Sequence, residues 1–453
     1  MLTCWSDDRI LTNGKSVASF VFWLYRILFL PTLLLLSPYY LRRMKRRGGY
    51  RTNFPNRFGR YRPLPAKRAD HPRVWLQAVS VGEVLAIEPI LEALKRDGVE
   101  VFLTTTTSTG YRLAKERYAE RVLGIGYFPL DWWLFSRRAW RAVDPDLAVL
   151  TEGERWPEHM RRARRRGVPV VCINARISKR SFRRITFFPP TSGLMLRDIS
   201  LLLPCSGEDQ KRFLALGFPA QKMRFTGNIK LDVEIQPLDE AAVSSLRHEL
   251  GLPAGWVLLG SSTWPGEEEA LIQALAEARA AGLNCSLLIV PRHADRRKEI
   301  EPLLRESPWR FHFRSDGAAS GEVDVAVGDT TGELRRLTQL ADVVFVGKSL
   351  PPHNEGQTPV EAAALGKPIL FGPGMGNFQS VARDLLARGA AQSVADARAL
   401  AHAARGLLQD PARRESMAAA AAAWQRENRG AAARTLDAIR GQLATRSRSQ
   451  PRA

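Results

Sequence analysis

From Val74 onward the chain alternates short apolar runs with longer amphipathic stretches, and this alternation restricts the fold more than any other feature. The runs VWLQAV (Val74 to Val79), VFLTTT (Val101 to Thr106), LAVLTE (Leu147 to Glu152), VPVVCINA (Val168 to Ala175) and LLLPCS (Leu201 to Ser206) read as buried strands. Helical stretches such as Glu83 to Arg96 and Glu154 to Arg166 lie between them. A polar connector, Asp232 to Glu249, precedes a second series: WVLLGSS (Trp256 to Ser262), CSLLIVP (Cys285 to Pro291), VDVAVGD (Val323 to Asp329), DVVFVG (Asp342 to Gly347) and PILFGP (Pro368 to Pro373). Repeated strand–helix alternation predicts α/β architecture, with parallel sheets covered on both faces and ligands beyond the carboxyl ends of strands. At 453 residues the chain has room for two such domains and a cleft between them. The expected division is 1–40 as an anchor, 41–235 and 250–430 as Rossmann-like domains, and 431–453 as a tail whose last ten or so residues are disordered.

The anchor is VASFVFWLYRILFLPTLLLL, Val17 to Leu36, long enough to cross a hydrocarbon core as a helix despite Arg26 and Pro31. Residues 41–69 then carry Arg42, Arg43, Lys45, Arg46, Arg47, Arg51, Arg57, Arg60, Arg62, Lys67 and Arg68, with no acidic residue. A basic block beside an apolar run marks the cytoplasmic side of a membrane and attracts anionic lipids. A cleaved signal peptide fits poorly, because the basic block follows the run and no A-x-A site is present. The run either spans once or lies in the interface. The net charge of +21 favours anionic partners generally, but no nucleic-acid-binding module accompanies it. The four cysteines (Cys4, Cys172, Cys205, Cys285) are scattered without a CxxC pair, which argues against a disulfide scaffold or structural zinc.

Candidate chemistry follows the strands. Glu83, in SVGE after the first strand, sits at a helix start; a carboxylate there either complements the helix dipole or serves as a general base. Glu152 and Glu154 follow the third strand, Arg176 ends the fourth, and Lys230 falls at the junction of the two halves. In the second half, Ser262 and Thr263 lie in GSSTWPGEE, whose small residues before a helix suggest a phosphate cradle. Pro291, Arg292 and His293 end another strand, Arg292 offering a permanently charged planar contact. Thr331, Gly332 and Glu333 open a helix, and Thr358, Pro359, Val360 and Glu361 lead into a Gly-rich turn, with Glu361 able to accept hydrogen bonds from ribose hydroxyls. There is no GxxxxGK[ST], no strand-following GxGxxG and no HxxxH, so neither a cofactor nor a metal is suggested.

Read in order, AVSVGE (78–83), TTTTSTGY (104–111), VDPDLAVLTEGERWP (143–157), INARIS (173–178), TGNIKLD (226–232), VPRH (290–293), VGDTTGEL (327–334), VFVGKSL (344–350) and TPVEAAALGKPILFGP (358–373) resemble one family. It is the 3-deoxy-D-manno-octulosonic acid (Kdo) transferases of lipopolysaccharide synthesis, glycosyltransferase family 30. The resemblance implies the two-Rossmann GT-B fold, with an acceptor-binding first domain and a CMP-sugar-binding second. It implies an enzyme of the cytoplasmic face of the bacterial inner membrane, with CMP-Kdo as donor and the lipid A precursor (lipid IVA) as acceptor. Glu83 matches the family's catalytic base, and Glu152 and Lys230 match positions that stabilise the transition state. Pro291, Arg292, Thr331, Gly332, Glu333 and Thr358 to Glu361 match the CMP-binding segments. The implied reaction inverts the anomeric carbon without a metal, cationic side chains offsetting charge on the departing CMP.

The chain departs from the family's pattern in two places. Gln357 and Thr358 replace a His–Asn pair, and Gly153 and Arg155 alter the segment after Glu152. The alternatives are a membrane-associated GT-B transferase using a UDP-sugar, and a pseudoenzyme, in which Glu83 and the nucleotide motifs would have degraded.

Overall fold

A computed structural model describes residues 8–47, 52–68, 70–153, 155–188 and 190–449; Cys4, Arg51 and Glu154 lie outside the described residues. The chain divides into two compact units, one comprising Met1–Asp232 with Gly430–Ala453 and the other Val233–Arg429.

The first unit opens with a long helix, α1 (Asp8–Arg47). There follow β1 (Arg73–Gln77), α2 (Val81–Ala86), α3 (Glu88–Arg96), β2 (Glu100–Thr105), α4 (Ser108–Tyr118), β3 (Gly124–Tyr127), α5 (Trp133–Val143), β4 (Leu147–Thr151), α6 (Pro157–Arg165), β5 (Val170–Ala175), α7 (Lys179–Phe187), α8 (Pro190–Leu196), β6 (Leu201–Pro204) and α9 (Gly207–Ala215). The strands form one parallel sheet in the order β3-β2-β1-β4-β5-β6. Strands β1, β4 and β5 are buried at every residue, as expected where helices cover both faces, and this is why they read as unbroken apolar runs.

Two local expectations are corrected. The single helix expected from Glu83 to Arg96 is two, parted at Ile87, because Pro89 has no N–H to continue a helix and instead starts a new one. Strand β3, GIGY, escapes pattern reading because glycine is a poor strand former. Gly126 is nevertheless required there: a Cβ would come within 2.8 Å of the Tyr61 ring.

The second unit begins within the expected connector, whose end is helix α10 (Glu240–Glu249), capped by the Asp239 carboxylate on the Ala242 N–H at 2.7 Å. Then come β7 (Trp256–Thr263), α11 (Glu267–Ala280), β8 (Cys285–Pro291), α12 (Arg297–Arg305), β9 (Phe311–Phe313), β10 (Val325–Val327), α13 (Leu334–Leu337), β11 (Val343–Val346), α14 (Val360–Ala364), β12 (Ile369–Phe371), α15 (Gln379–Ala387), β13 (Ala391–Ser393), α16 (Ala397–Gln409) and α17 (Pro411–Asn428). Its sheet is also parallel, in the order β13-β12-β11-β7-β8-β10-β9.

A last helix, α18 (Ala431–Ser449), returns to the first unit. The disorder expected for the last ten or so residues is therefore corrected as far as Ser449, while 450–453 lie outside the described residues. Ala432, Leu436, Ile439 and Leu443 recur at helical spacing and form one apolar stripe. That stripe joins Val84, Ile87, Ile90 and Leu94 in the core on one face of the first sheet.

Candidate active site

In the first sheet the strand order reverses between β1 and β4, and in such sheets the crevice beyond the carboxyl ends at the reversal is where ligands bind. Glu83 and Glu152 follow those two strands. Glu83 lies in the first turn of α2 and is only 6% exposed. Its Oε2 accepts the Val79 N–H at 2.9 Å and the hydroxyl of Thr151, the last residue of β4. Its Oε1 accepts the Ser80 hydroxyl at 2.9 Å. The carboxylate is thus fastened to both strand ends and cannot swing freely.

Glu152 takes a left-handed backbone conformation at φ 51°, and Asn174, the penultimate residue of β5, does the same at φ 50°. Non-glycine residues held there store strain of about 1–3 kcal/mol each, a cost the surrounding contacts must offset. Those contacts converge on the Glu152 carboxylate. Its Oε1 lies 2.5 Å from Lys230 Nζ, 3.5 Å from Asn174 Nδ2 and 3.9 Å from the Arg176 guanidinium. Asn174 Oδ1 also accepts the Ile229 N–H at 3.1 Å, and the Lys230 N–H donates to Asn228 Oδ1 at 3.0 Å, so the segment carrying the lysine is held in register. Lys230 passes over the glycine of SVGE: a Cβ on Gly82 would stand 3.9 Å from its Cε. Glu83, Glu152, Arg176 and Lys230, four residues spread over nearly 150 positions of sequence, therefore share one corner of the first unit. Cys205 lies nearby, and burial and the adjacent Asp209 push its thiol far above the usual range.

The second sheet reverses between β7 and β11, and the residues expected to contact nucleotide surround the carboxyl ends of its strands. The expected cradle at GSSTWPGEE is corrected. Ser262 (φ 55°) and Thr263 complete β7, and α11 then opens with three carboxylates, Glu267, Glu268 and Glu269, a poor setting for an anion. Glu267, 1% exposed, takes the backbone N–H groups of Trp264 (2.9 Å), Lys348 (2.7 Å), Ser349 (2.8 Å) and Leu350 (3.1 Å). It therefore ties the loop after β7 to the loop after β11. Around that tie, Lys348 Nζ stands 4.1 Å from the Trp264 ring centroid and the His293 ring meets Trp264 edge-on at 5.8 Å. Pro291 ends β8 buried, whereas Arg292 and His293 are exposed, as are Thr331 and Gly332 beyond β10.

Glu333 is half-buried; burial alone would raise its carboxyl, but the Thr330 hydroxyl and the Arg314 guanidinium hold it below the usual range. The Thr358 hydroxyl accepts the Val360 N–H at 3.2 Å, with Pro359 and Val360 buried behind it. Glu361, in the first turn of α14, has one oxygen 3.9 Å from Arg335 and the other buried without a hydrogen-bond partner among the described residues. A buried carboxylate oxygen left without a donor suits a ligand hydroxyl.

Residues 52–233 match the profile of the family described as 3-deoxy-D-manno-octulosonic-acid transferase (kdotransferase). Over nearly its whole length the chain is 36% identical to the 3-deoxy-D-manno-octulosonic acid transferase of Bordetella pertussis, over 88% of this chain and 94% of that protein. It is 31% identical to the transferase of the same name from Haemophilus influenzae, over 92% and 95%. The chain belongs to the Kdo transferase family. It is a glycosyltransferase by that membership. The profile match begins just beyond α1 and ends at residue 233, where the chain leaves its first unit. Among solved structures, Anabaena HepE in complex with UDP superimposes with a TM-score of 0.53 at 16% identity, over 83% of this chain and all of that one. The UDP-GlcNAc 2-epimerase of Neisseria meningitidis gives 0.52 at 14%, over 82% and 100%. Likeness at that level shows the fold, and the transferase is GT-B.

Sequence reading of this Kdo transferase missed Asn174, Thr151 and Glu267 as parts of the site. Asn174 and Thr151 had a readable signal, a polar residue inside a strand otherwise buried throughout. Glu267 had none, since an acidic residue opening a helix is ordinary.

Proposed function

We propose that the chain transfers Kdo from CMP-Kdo to a hydroxyl of the lipid A precursor (lipid IVA), inverting the anomeric carbon, without a metal, at the cytoplasmic face of a bacterial inner membrane. The observation that carries this reading is the fastened Glu83 carboxylate at the strand reversal, with the Lys230–Glu152 pair against the same loop. Glu83 takes the proton from the acceptor hydroxyl as that oxygen bonds to the anomeric carbon. The bond from that carbon to the CMP phosphate breaks, and its electron pair leaves with CMP. The hydrogen bonds from Val79, Ser80 and Thr151 aim the carboxylate, which is what a positioned base requires. Lys230 and Arg176 supply positive charge where the anionic sugar and phosphate react, with Glu152 holding Lys230 in place.

On this reading the first unit takes the acceptor, and the second takes the nucleotide through Arg292, His293, Thr331 to Glu333 and Thr358 to Glu361. The helix containing Phe20–Arg42 is long and apolar enough to cross a membrane. With the basic residues after it, this supports association with anionic lipids rather than nucleic acid.

The test is transfer by the purified full chain in detergent, with a CMP-Kdo-generating system and tetra-acylated precursor, with and without EDTA. Wild type adds Kdo regardless of EDTA. Glu83→Ala and Glu83→Gln lose about 10²–10⁴-fold in rate while keeping the wild-type unfolding midpoint. CMP binding without transfer would point to another acceptor, and UDP-sugar turnover under the same conditions to the alternative donor. Absence of CMP binding would overturn the assignment of the second unit.

A further inference from the structure

Away from the catalytic corner, α1, α5 and α6 border an open pocket of about 490 Å3 lined by six arginines: the partly buried Arg26 and Arg162 and the exposed Arg137, Arg141, Arg165 and Arg166. Two nearby carboxylates are already committed, Glu158 to Arg26 and Asp144 to Arg166. Among the described residues, Arg137, Arg141 and Arg165 pair with no carboxylate, and Arg162 Nε is buried without a hydrogen-bond partner. Crowded like charges of this kind repel one another more strongly near a protein surface than in bulk water, and a multivalent anion relieves them.

The second observation is how α1 is held. The Tyr25 hydroxyl donates to Asp131 at 2.7 Å, Arg26 pairs with Glu158 in the first turn of α6, and the Arg161 guanidinium covers the Phe22 ring at 4.5 Å. This stretch of the apolar helix is thus bound to the surface of the first unit, while Phe20 (67%), Ile27 (66%) and Leu35 (81%) remain exposed. Residues 22–26 cannot reach the centre of a bilayer without taking the charged Asp131–Glu158 region with them, which places them in the interfacial zone where headgroup phosphates lie. Trp133, 38% exposed and lining the same pocket, is the residue type that settles at that depth.

We propose that the arginine pocket holds the phosphate of an anionic membrane-lipid headgroup and so seats the first unit on the bilayer with α1 in the interface. The proposal rests on the membrane reading above and is independent of the catalytic one. Its test is hydrogen exchange of the full chain in nanodiscs of phosphatidylcholine alone or with increasing phosphatidic acid, with transfer in detergent measured on the same preparation. The expected result is added protection of the amides in α5 and α6 as phosphatidic acid increases. Arg137→Gln should raise the fraction needed for half-protection about fivefold. Arg137→Gln/Arg141→Gln/Arg165→Gln should abolish the added protection, with α1 protection and the unfolding midpoint unchanged. Equal protection of α5 and α6 in neutral nanodiscs, or from inorganic phosphate or single-stranded RNA without lipid, would overturn the proposal. So would persistence of the effect in the triple variant. An α1 unprotected in both kinds of nanodisc would overturn the membrane reading itself, whereas loss of transfer alone would count only against the catalytic one.

Discussion

His159, in the first turn of α6, shows what burial does to a titratable residue. It lies 1% exposed among Trp75, Phe128 and Trp140, its Nδ1 accepting the Trp140 Nε1–H at 3.1 Å, and burial lowers its pKa to about 3. The unfolded chain binds a proton at His159 below pH 6.5 that the folded chain refuses. Its contribution to stability is therefore present above pH 6.5 and is lost as pH falls towards 3, by up to about 1.4 kcal/mol per pH unit. Neighbouring Asp131 works the other way, because burial pushes its carboxyl up to about 7 against the hydrogen bonds from Tyr25 and the Glu158 and His159 N–H groups. The difference between wild type and His159→Gln isolates the histidine. Denaturant unfolding between pH 4 and 7 should show a shallower acid loss in the variant. Glu83, Glu152, Arg176 and Lys230 were legible in the sequence because each lies in a short segment after a strand or at the junction. Their partners were not: the Glu152–Asn174 contact depends on two left-handed backbone positions that residue type does not announce.

At the scale of elements, the second unit depends on loops packed backbone against backbone. Gly372, after β12, leaves no room for a side chain: a Cβ would lie 2.1 Å from the Ser349 carbonyl oxygen and 2.3 Å from its carbon, neither of which can rotate away. The Gly372 N–H donates to the Ser349 hydroxyl at 2.8 Å, so the two loops are also hydrogen-bonded. Gly372→Ala should destabilise the second unit by about 1–3 kcal/mol or more and weaken CMP binding, read by denaturant titration and calorimetry. Both parallel sheets could be anticipated from the apolar runs, since burial on two faces leaves an unmistakable pattern. The short strands β9 and β13, three residues each, could not, because pairing with a neighbour defines them more than composition does.

At the scale of the molecule, the two strand–helix series and the helical character of the chain after Ala395 were visible at once, but the packing of the last helix onto the first unit was not. Its Ala- and Arg-rich composition resembles a solvated tail, and only the stripe through Ile439 reveals a buried face. Ile439 is fully buried, so Ile439→Ala should cost about 2–5 kcal/mol of first-unit stability, measured by thermal or denaturant unfolding of the full chain.

That helix also governs the order of assembly. The backbone crosses between the units twice, at 232–233 and at 429–430, and Asp232 holds the crossings together by accepting the Gly430 N–H at 2.8 Å and the Ala432 N–H at 2.7 Å. The second unit is thus topologically an insertion into the first. During synthesis the ribosome delivers the whole of the second unit before the helix that completes the first unit's core. For that interval the nascent first unit carries Val84, Ile87 and Ile90 without their final cover, a window in which chaperone engagement has its target.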